Sequence, residues 1–234
     1  MMRQLILATT ALVFTGVSEA QAPNLGGAML HILIEQDGDG LVLEYETPVS
    51  GPIELFQYPG EMYNGAASVL DETYYSGRYG WLANGFFNLP AGSGVFVENL
   101  GTTAGLSVYD AFSYAPILGT DGSSDIWEWS GQMTHNWYSA IDPGVYSAMY
   151  RVYVGNATTQ EPLAGWEPAE IMLEWFVPFD CVADVNGDGM LSPTDFTAWI
   201  NAYNNSDPEC DQNGDGSCTP TDFTAWIANY NAGC

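Results

Sequence analysis

The phrase DVNGDGMLSPTDFTAWINAYN begins at Asp184, and DQNGDGSCTPTDFTAWIANYN begins at Asp211. The two agree at 15 of 21 positions and start 27 residues apart. A phrase repeated at such close range makes the end of the chain two copies of one local structure. Each copy opens on alternating oxygen donors. With Asp184 as position 1, Asn186 falls at 3, Asp188 at 5, Gly189 at 6, Met190 at 7, Ser192 at 9 and Asp195 at 12. In the second copy the same positions hold Asp211, Asn213, Asp215, Gly216, Ser217, Thr219 and Asp222. That is the donor order of a twelve-residue calcium loop.

The chemistry explains the spacing. Calcium takes six to eight oxygens at about 2.3–2.6 Å, and side chains at 1, 3 and 5 converge as the chain curls. Glycine at 6 permits the sharp turn. Met190 and Ser217 offer their backbone carbonyls at 7, Ser192 and Thr219 reach the ion directly or through water at 9, and the carboxylates of Asp195 and Asp222 close the cage. Each loop gathers three aspartates that repel one another until a cation joins them, so ion uptake and folding are expected to be coupled. Two bound calcium ions are expected.

The segment after each loop is also duplicated. Phe196, Trp199, Ile200 and Tyr203 sit at i, i+3, i+4 and i+7, as do Phe223, Trp226, Ile227 and Tyr230. This is one apolar stripe on each of two short helices. Ser192 and Thr219 are their N-caps, with Pro193 and Pro220 at the first helical position. The stripes are expected to face each other as the core of a very small domain. Before loop one stands EWFVPFDCVA, strand-like and broken by proline, so each unit is a loop with an exiting helix and no entering one.

At the other end, MMRQLILATTALVFTGVSEAQA has an early Arg3, an apolar run from Leu5 to Val17, and small residues at Ala20 and Ala22. This is the pattern of a secretory signal peptide, residues 1–22, too short in its apolar part to span a bilayer. A secreted, extracellular mature chain without a transmembrane segment is expected. Between the leader and the duplication, AMLHILIEQDGDGLVLEYET reads as two strands about an Asp-Gly turn. GVFVENL, LSVYDAF, VYSAMYRVYVG and AEIMLEWFV are further strand-like runs separated by turn residues. Residues 23–178 are therefore expected to form a mostly β domain, an antiparallel sandwich or jelly-roll-like arrangement, joined to a small α-helical calcium-loop domain over 181–234.

Charge excludes some functions. There are 29 acidic residues against three basic ones, a net charge of −26. Nucleic acid and anionic membrane surfaces are excluded as partners, and the charge suits divalent cations, neutral ligands or a salty medium that screens self-repulsion. The four cysteines, Cys181, Cys210, Cys218 and Cys234, all lie late; an even count in an exported chain indicates disulfides, with three pairings open.

The two half-hand loops at the C-terminus of an exported chain resemble a type I dockerin domain of secreted bacterial proteins. The resemblance covers Cys181 to Cys234. It implies one calcium per loop, held by Asp184, Asn186, Asp188 and Asp195 and by Asp211, Asn213, Asp215 and Asp222, and helices that dock onto a cohesin-like or other surface protein. Pro193-Thr194 and Pro220-Thr221 stand where that family often places a hydroxyl pair, and basic residues usual along its helices are missing. Within this module Cys181 is expected to pair with Cys234, clasping its two ends, and Cys210 with Cys218.

The β domain carries no motif for a nucleophile, a metal protease or a phosphate loop, so no catalytic residue is assigned. His31 and His135 sit in no recognisable motif. Trp127, Trp129, Trp137 and Tyr138 cluster in DGSSDIWEWSGQMTHNWYSA; they are either a sugar-stacking face or core. The leading reading is a non-enzymatic, secreted calcium-binding protein whose tail docks a β-sandwich domain onto an extracellular partner. The alternative is a carbohydrate-binding or polysaccharide-degrading protein targeted the same way, with polysaccharide as its partner.

Overall fold

The structure, a computed structural model, describes residues 22–178, 181–187 and 191–233. Eleven strands lie before residue 178: β1 (Leu30–Asp37), β2 (Gly40–Tyr45), β3 (Ile53–Glu54), β4 (Tyr74–Ser76), β5 (Tyr79–Ala83), β6 (Ser93–Thr102), β7 (Ser107–Tyr109), β8 (Ile126–Trp129), β9 (Trp137–Ala140), β10 (Gly144–Asn156) and β11 (Ala169–Val177). The Asp-Gly turn is where the sequence placed it. Asp37 pairs with Gly40, leaving Gly38 and Asp39 as the link, and Gly38 takes the left-handed step at φ 59°. Alternation then sends Ile32 and Ile34 inward and His31 to the opposite face of β1.

Three sheets result, ordered β2-β1-β5, β3-β11-β10-β6-β8 and β4-β9-β7. Most neighbours are antiparallel, as expected. Two pairs are parallel, β1 with β5 and β11 with β3, which the sequence pattern does not foretell. The long pair β10 and β11 runs in register from Gly144↔Val177 to Val152↔Ala169. The sheets enclose one main core, in which Ile32, Ile34, Trp81, Tyr138, Tyr150, Val152, Leu173 and Trp175 are fully buried. Each fully buried aliphatic or aromatic side chain of this kind stabilises the fold by roughly 1.5–3 kcal/mol.

The aromatic cluster belongs largely to this interior. Trp129 and Tyr138 are in the main core, and Trp127 packs against it from the same strand face as Trp129. Trp137 points the other way from Tyr138, into a second cluster with Tyr63, Leu70 and Tyr75. There Tyr114 stacks on it with centroids 6.0 Å apart. The chain leading into β1 is already part of this cluster: Leu25 packs in it, and the Leu25 carbonyl accepts from Gly77 N at 3.1 Å and Ser76 Oγ at 3.2 Å.

Candidate metal centre and docking module

After residue 180 the structure turns helical. α1 (Pro193–Asn205) and α2 (Pro220–Ala232) each come after one acidic loop and begin on the expected caps, Ser192 and Thr219, with proline at the first helical position. Both close a capping box in which the aspartate three residues on reaches back to the cap. No helix enters loop one among the described residues; loop two is entered from the short 3-10 turn Pro208–Cys210.

The helical stripes meet as expected, with one refinement. Trp199 and Trp226 are buried with Ala183, and Phe196, Tyr203 and Tyr230 pack around them. Ile200 and Ile227 are instead exposed by about two-fifths (41 and 40%), while Phe223, 40% exposed, still sets its ring against Phe196 and Trp199 with centroids 5.6 and 5.5 Å away. A core this small is already filled by the two indoles, so the remaining stripe positions are left at its rim. The indoles are tied crosswise. Trp199 Nε1 donates to the Cys210 carbonyl at 3.1 Å, the residue just before loop two. Trp226 Nε1 donates to the Ala183 carbonyl at 3.2 Å, the residue just before loop one.

In loop two, Asp211 organises the curl. Its Oδ1 accepts from Gly214 N at 2.9 Å and Asp215 N at 3.1 Å, and its Oδ2 from Gly216 N at 2.7 Å. Gly216 has φ 81°, the left-handed conformation that position 6 of a calcium loop demands. Asn213 Oδ1 accepts from Asp215 N at 2.9 Å, and Asp215 Oδ1 from Ser217 N at 2.9 Å. The Asn213 amide nitrogen leans on Thr221 Oγ1 at 3.4 Å, which leaves its oxygen turned to the loop. Asp222, fully buried, joins the loop's two ends: Oδ1 takes Gln212 N at 3.0 Å and Asn213 N at 3.3 Å, and Oδ2 takes Thr219 N at 2.7 Å and the Thr219 hydroxyl at 3.0 Å.

Loop one repeats the plan where it is described. Asp184 Oδ1 accepts from Gly187 N at 2.9 Å, Asp195 takes Ser192 N at 2.7 Å and Asn186 N at 3.4 Å, and the Asn186 amide meets Thr194 Oγ1 at 3.0 Å. Asp188, Gly189 and Met190 lie outside the described residues. Both closing carboxyls are shifted towards the ionised form. Hydrogen bonds led by the Thr219 N–H hold Asp222 below the usual 3.8. Burial pushes Asp195 upward, but the N–H groups of Ser192 and Asn186 outweigh it and the carboxyl ends below 3.8.

Cys210 and Cys218 are bridged as expected, with Cα atoms 5.5 Å apart, so a covalent clip spans the first two-thirds of loop two. Cys181 is also disulfide-bonded. The expected bridge to Cys234 falls on a residue outside the described ones. Sequence reasoning missed Gln212. It is buried, donates to the Val182 carbonyl at 2.7 Å and the Glu209 carbonyl at 3.1 Å, and accepts at its side-chain oxygen from Asn229 at 3.2 Å. Its signal was present at loop position 2, where the copies differ: Val185 in one, Gln212 in the other.

The donor set suits a hard cation. It is all oxygen, and each ionised carboxylate has about four acceptor sites, so backbone N–H bonds and an ion can share it. Among the described residues no three His, Cys, Asp or Glu side chains converge on one point.

Two acidic loops, each with an exiting capped helix and joined by crosswise indoles, define a duplicated half-hand docking module. Residues 182–230 match the family model of the dockerin type I domain. Dockerin domains bind calcium and dock onto cohesin partners. No curated protein matches the chain. No helix among the described residues is long and apolar enough to cross a membrane.

Proposed function

We propose that this protein is secreted and that its C-terminal module, residues 181–234, binds two calcium ions and docks the β domain, residues 23–178, onto a cohesin-type extracellular partner. The single observation that carries the reading is the repeated loop architecture: Asp211 curling its loop around a left-handed Gly216, and Asp222 joining the loop's ends to the helix cap. Asp184, Asn186, Asp188, Met190, Ser192 and Asp195 are the proposed donors of one site. Asp211, Asn213, Asp215, Ser217, Thr219 and Asp222 are those of the other. The packing of Leu25 into the fold supports a leader that ends near residue 22. The β domain is proposed as a non-enzymatic cargo; Trp129 is in the core and Trp127 packs partly buried against it, which favours a packing role for that strand over sugar stacking.

Calorimetric titration of calcium into the chain from residue 23 onward tests this. Two ions are expected, with Asp184→Ala and Asp211→Ala each removing one. Binding to immobilised cohesin modules should require calcium and vanish with chelator. No heat of calcium uptake by the intact protein would overturn the reading.

A further inference from the structure

The dipeptide Asn-Gly occurs four times in the chain, beginning at Asn64, Asn84, Asn186 and Asn213. The pair has a chemistry of its own. The glycine amide nitrogen can attack the asparagine side-chain carbon and close a five-membered ring, and glycine has no Cβ to obstruct the approach. All four asparagines are exposed, so access of water does not separate them. What separates them is whether the two reacting groups are held.

In the acidic loops both groups are held. Gly214 N donates to Asp211 Oδ1 at 2.9 Å, the Asn213 amide nitrogen leans on Thr221 Oγ1 at 3.4 Å, and the Asn213 side-chain oxygen accepts from Asp215 N at 2.9 Å. Gly187 N donates to Asp184 Oδ1 at 2.9 Å, and the Asn186 amide donates to Thr194 Oγ1 at 3.0 Å. At Asn84 one group is held: its amide donates to Glu35 Oε2 at 2.6 Å, while Gly85 N–H has no acceptor among the described residues. At Asn64 neither is held. Asn64 stands before the 3-10 turn Gly65–Leu70 without a side-chain hydrogen bond to it, and Gly65 N–H has no acceptor among the described residues. Gly65 has φ 67°, and a Cβ there would meet nothing within 4 Å, so this peptide unit has room to turn.

We infer that Asn64 is a site of spontaneous covalent modification in the folded protein, converting through a succinimide to aspartate and isoaspartate, while the fold shields the other three Asn-Gly pairs. The peptide unit first rotates from ψ 147° at Asn64, which brings the Gly65 nitrogen to the side chain. That nitrogen bonds to Asn64 Cγ and gives up its proton to solvent; the Cγ–Nδ2 bond breaks and ammonia leaves. Water then opens the ring at either carbonyl. Attack at Cγ restores the original main chain with a side-chain carboxylate. Attack at the main-chain carbon routes the chain through Cγ, one methylene longer. Either product adds a negative charge to a segment that already carries Glu61, Asp71 and Glu72. The longer link falls between two anchors in the second cluster, Tyr63 and Ala67, with Tyr63 N also held by Asp71 Oδ1 at 2.8 Å. In the loops the same ring cannot close until the bonds on both groups have opened, so a curled loop preserves its position-3 donor.

The test uses the chain from residue 23 onward, folded in mildly alkaline, calcium-containing buffer made with ¹⁸O-water. Samples taken over days are digested and mapped by mass spectrometry, with aspartyl and isoaspartyl peptides separated by chromatography. Asn64 should convert first, several-fold ahead of the other three, with both products carrying ¹⁸O from solvent and the loop asparagines last. In urea the four rates should converge, because only the fold distinguishes them. Asn64→Gln, which cannot close the five-membered ring, should abolish conversion at that position. Should that variant fail to fold, the wild-type map decides alone. Another Asn-Gly pair matching Asn64 in the folded chain, a spread in urea as wide as the folded one, or no isoaspartate at Asn64 would overturn the inference.

Discussion

Gly216 and Asp110 show how single residues set local conditions. Gly216 has φ 81° and nothing within 4 Å of where a Cβ would stand, so space is no obstacle there and conformation is. Gly216→Ala is expected to destabilise loop two by roughly 1–2 kcal/mol, the cost of a left-handed L-residue. A lower thermal midpoint of the helical signal in circular dichroism, with weaker calcium uptake, checks it. Asp110 has a different role. Burial pushes its carboxyl up, but the Ser113 N–H and hydroxyl and the Phe112 N–H outweigh that and leave it below 3.8. A folded value below the unfolded one means stability that is present above the unfolded value and lost as pH falls through the folded value. Asp110→Asn should flatten the acid limb of stability, read from urea unfolding between about pH 5 and pH 2, and leave neutral-pH function alone.

At the scale of elements, the C-terminal module depends on its clip. Cys210 and Cys218 are eight residues apart, and a loop of that size contributes about 2–3 kcal/mol on the loop-entropy model. The double variant Cys210→Ser, Cys218→Ser is expected to lose about that much, and to recover part of it with calcium, in chemical denaturation of the whole chain. Much at this scale is legible in the residues alone. The β1–β2 hairpin, the runs that became β6, β7, β10 and β11, and both capped helices announce themselves through alternation, turn residues and S/T-P-T-D caps. β9 does not, because all four of its residues, Trp137–Ala140, are buried and no alternation survives. β3 is two residues long, and its parallel pairing with β11 spans more than a hundred residues without any local signal. The acidic-loop residues stand out in the sequence because their alternating spacing is repeated in two copies. The ring contact between His31 and His135, centroids 5.3 Å apart, does not, because only the fold brings β1 and the segment before β9 to the same face.

For the whole molecule, charge dominates. A net charge of −26 with three cationic side chains makes self-repulsion a general destabilising term. Raising sodium chloride from about 0.01 to 0.15 M shortens the Debye length from about 30 to 8 Å. The thermal midpoint of the chain from residue 23 onward should therefore rise with salt, and by more when calcium is absent. A midpoint insensitive to salt would show that the acidic groups are already spaced beyond each other's reach. The indole ties Trp199–Cys210 and Trp226–Ala183 carry a last consequence. Each helix grips the doorstep of the opposite loop, so neither half of the tail can relax alone. Emptying one cage should loosen the amides of its twin, and hydrogen exchange on Asp184→Ala should quicken around Asp211 as well as at the altered loop.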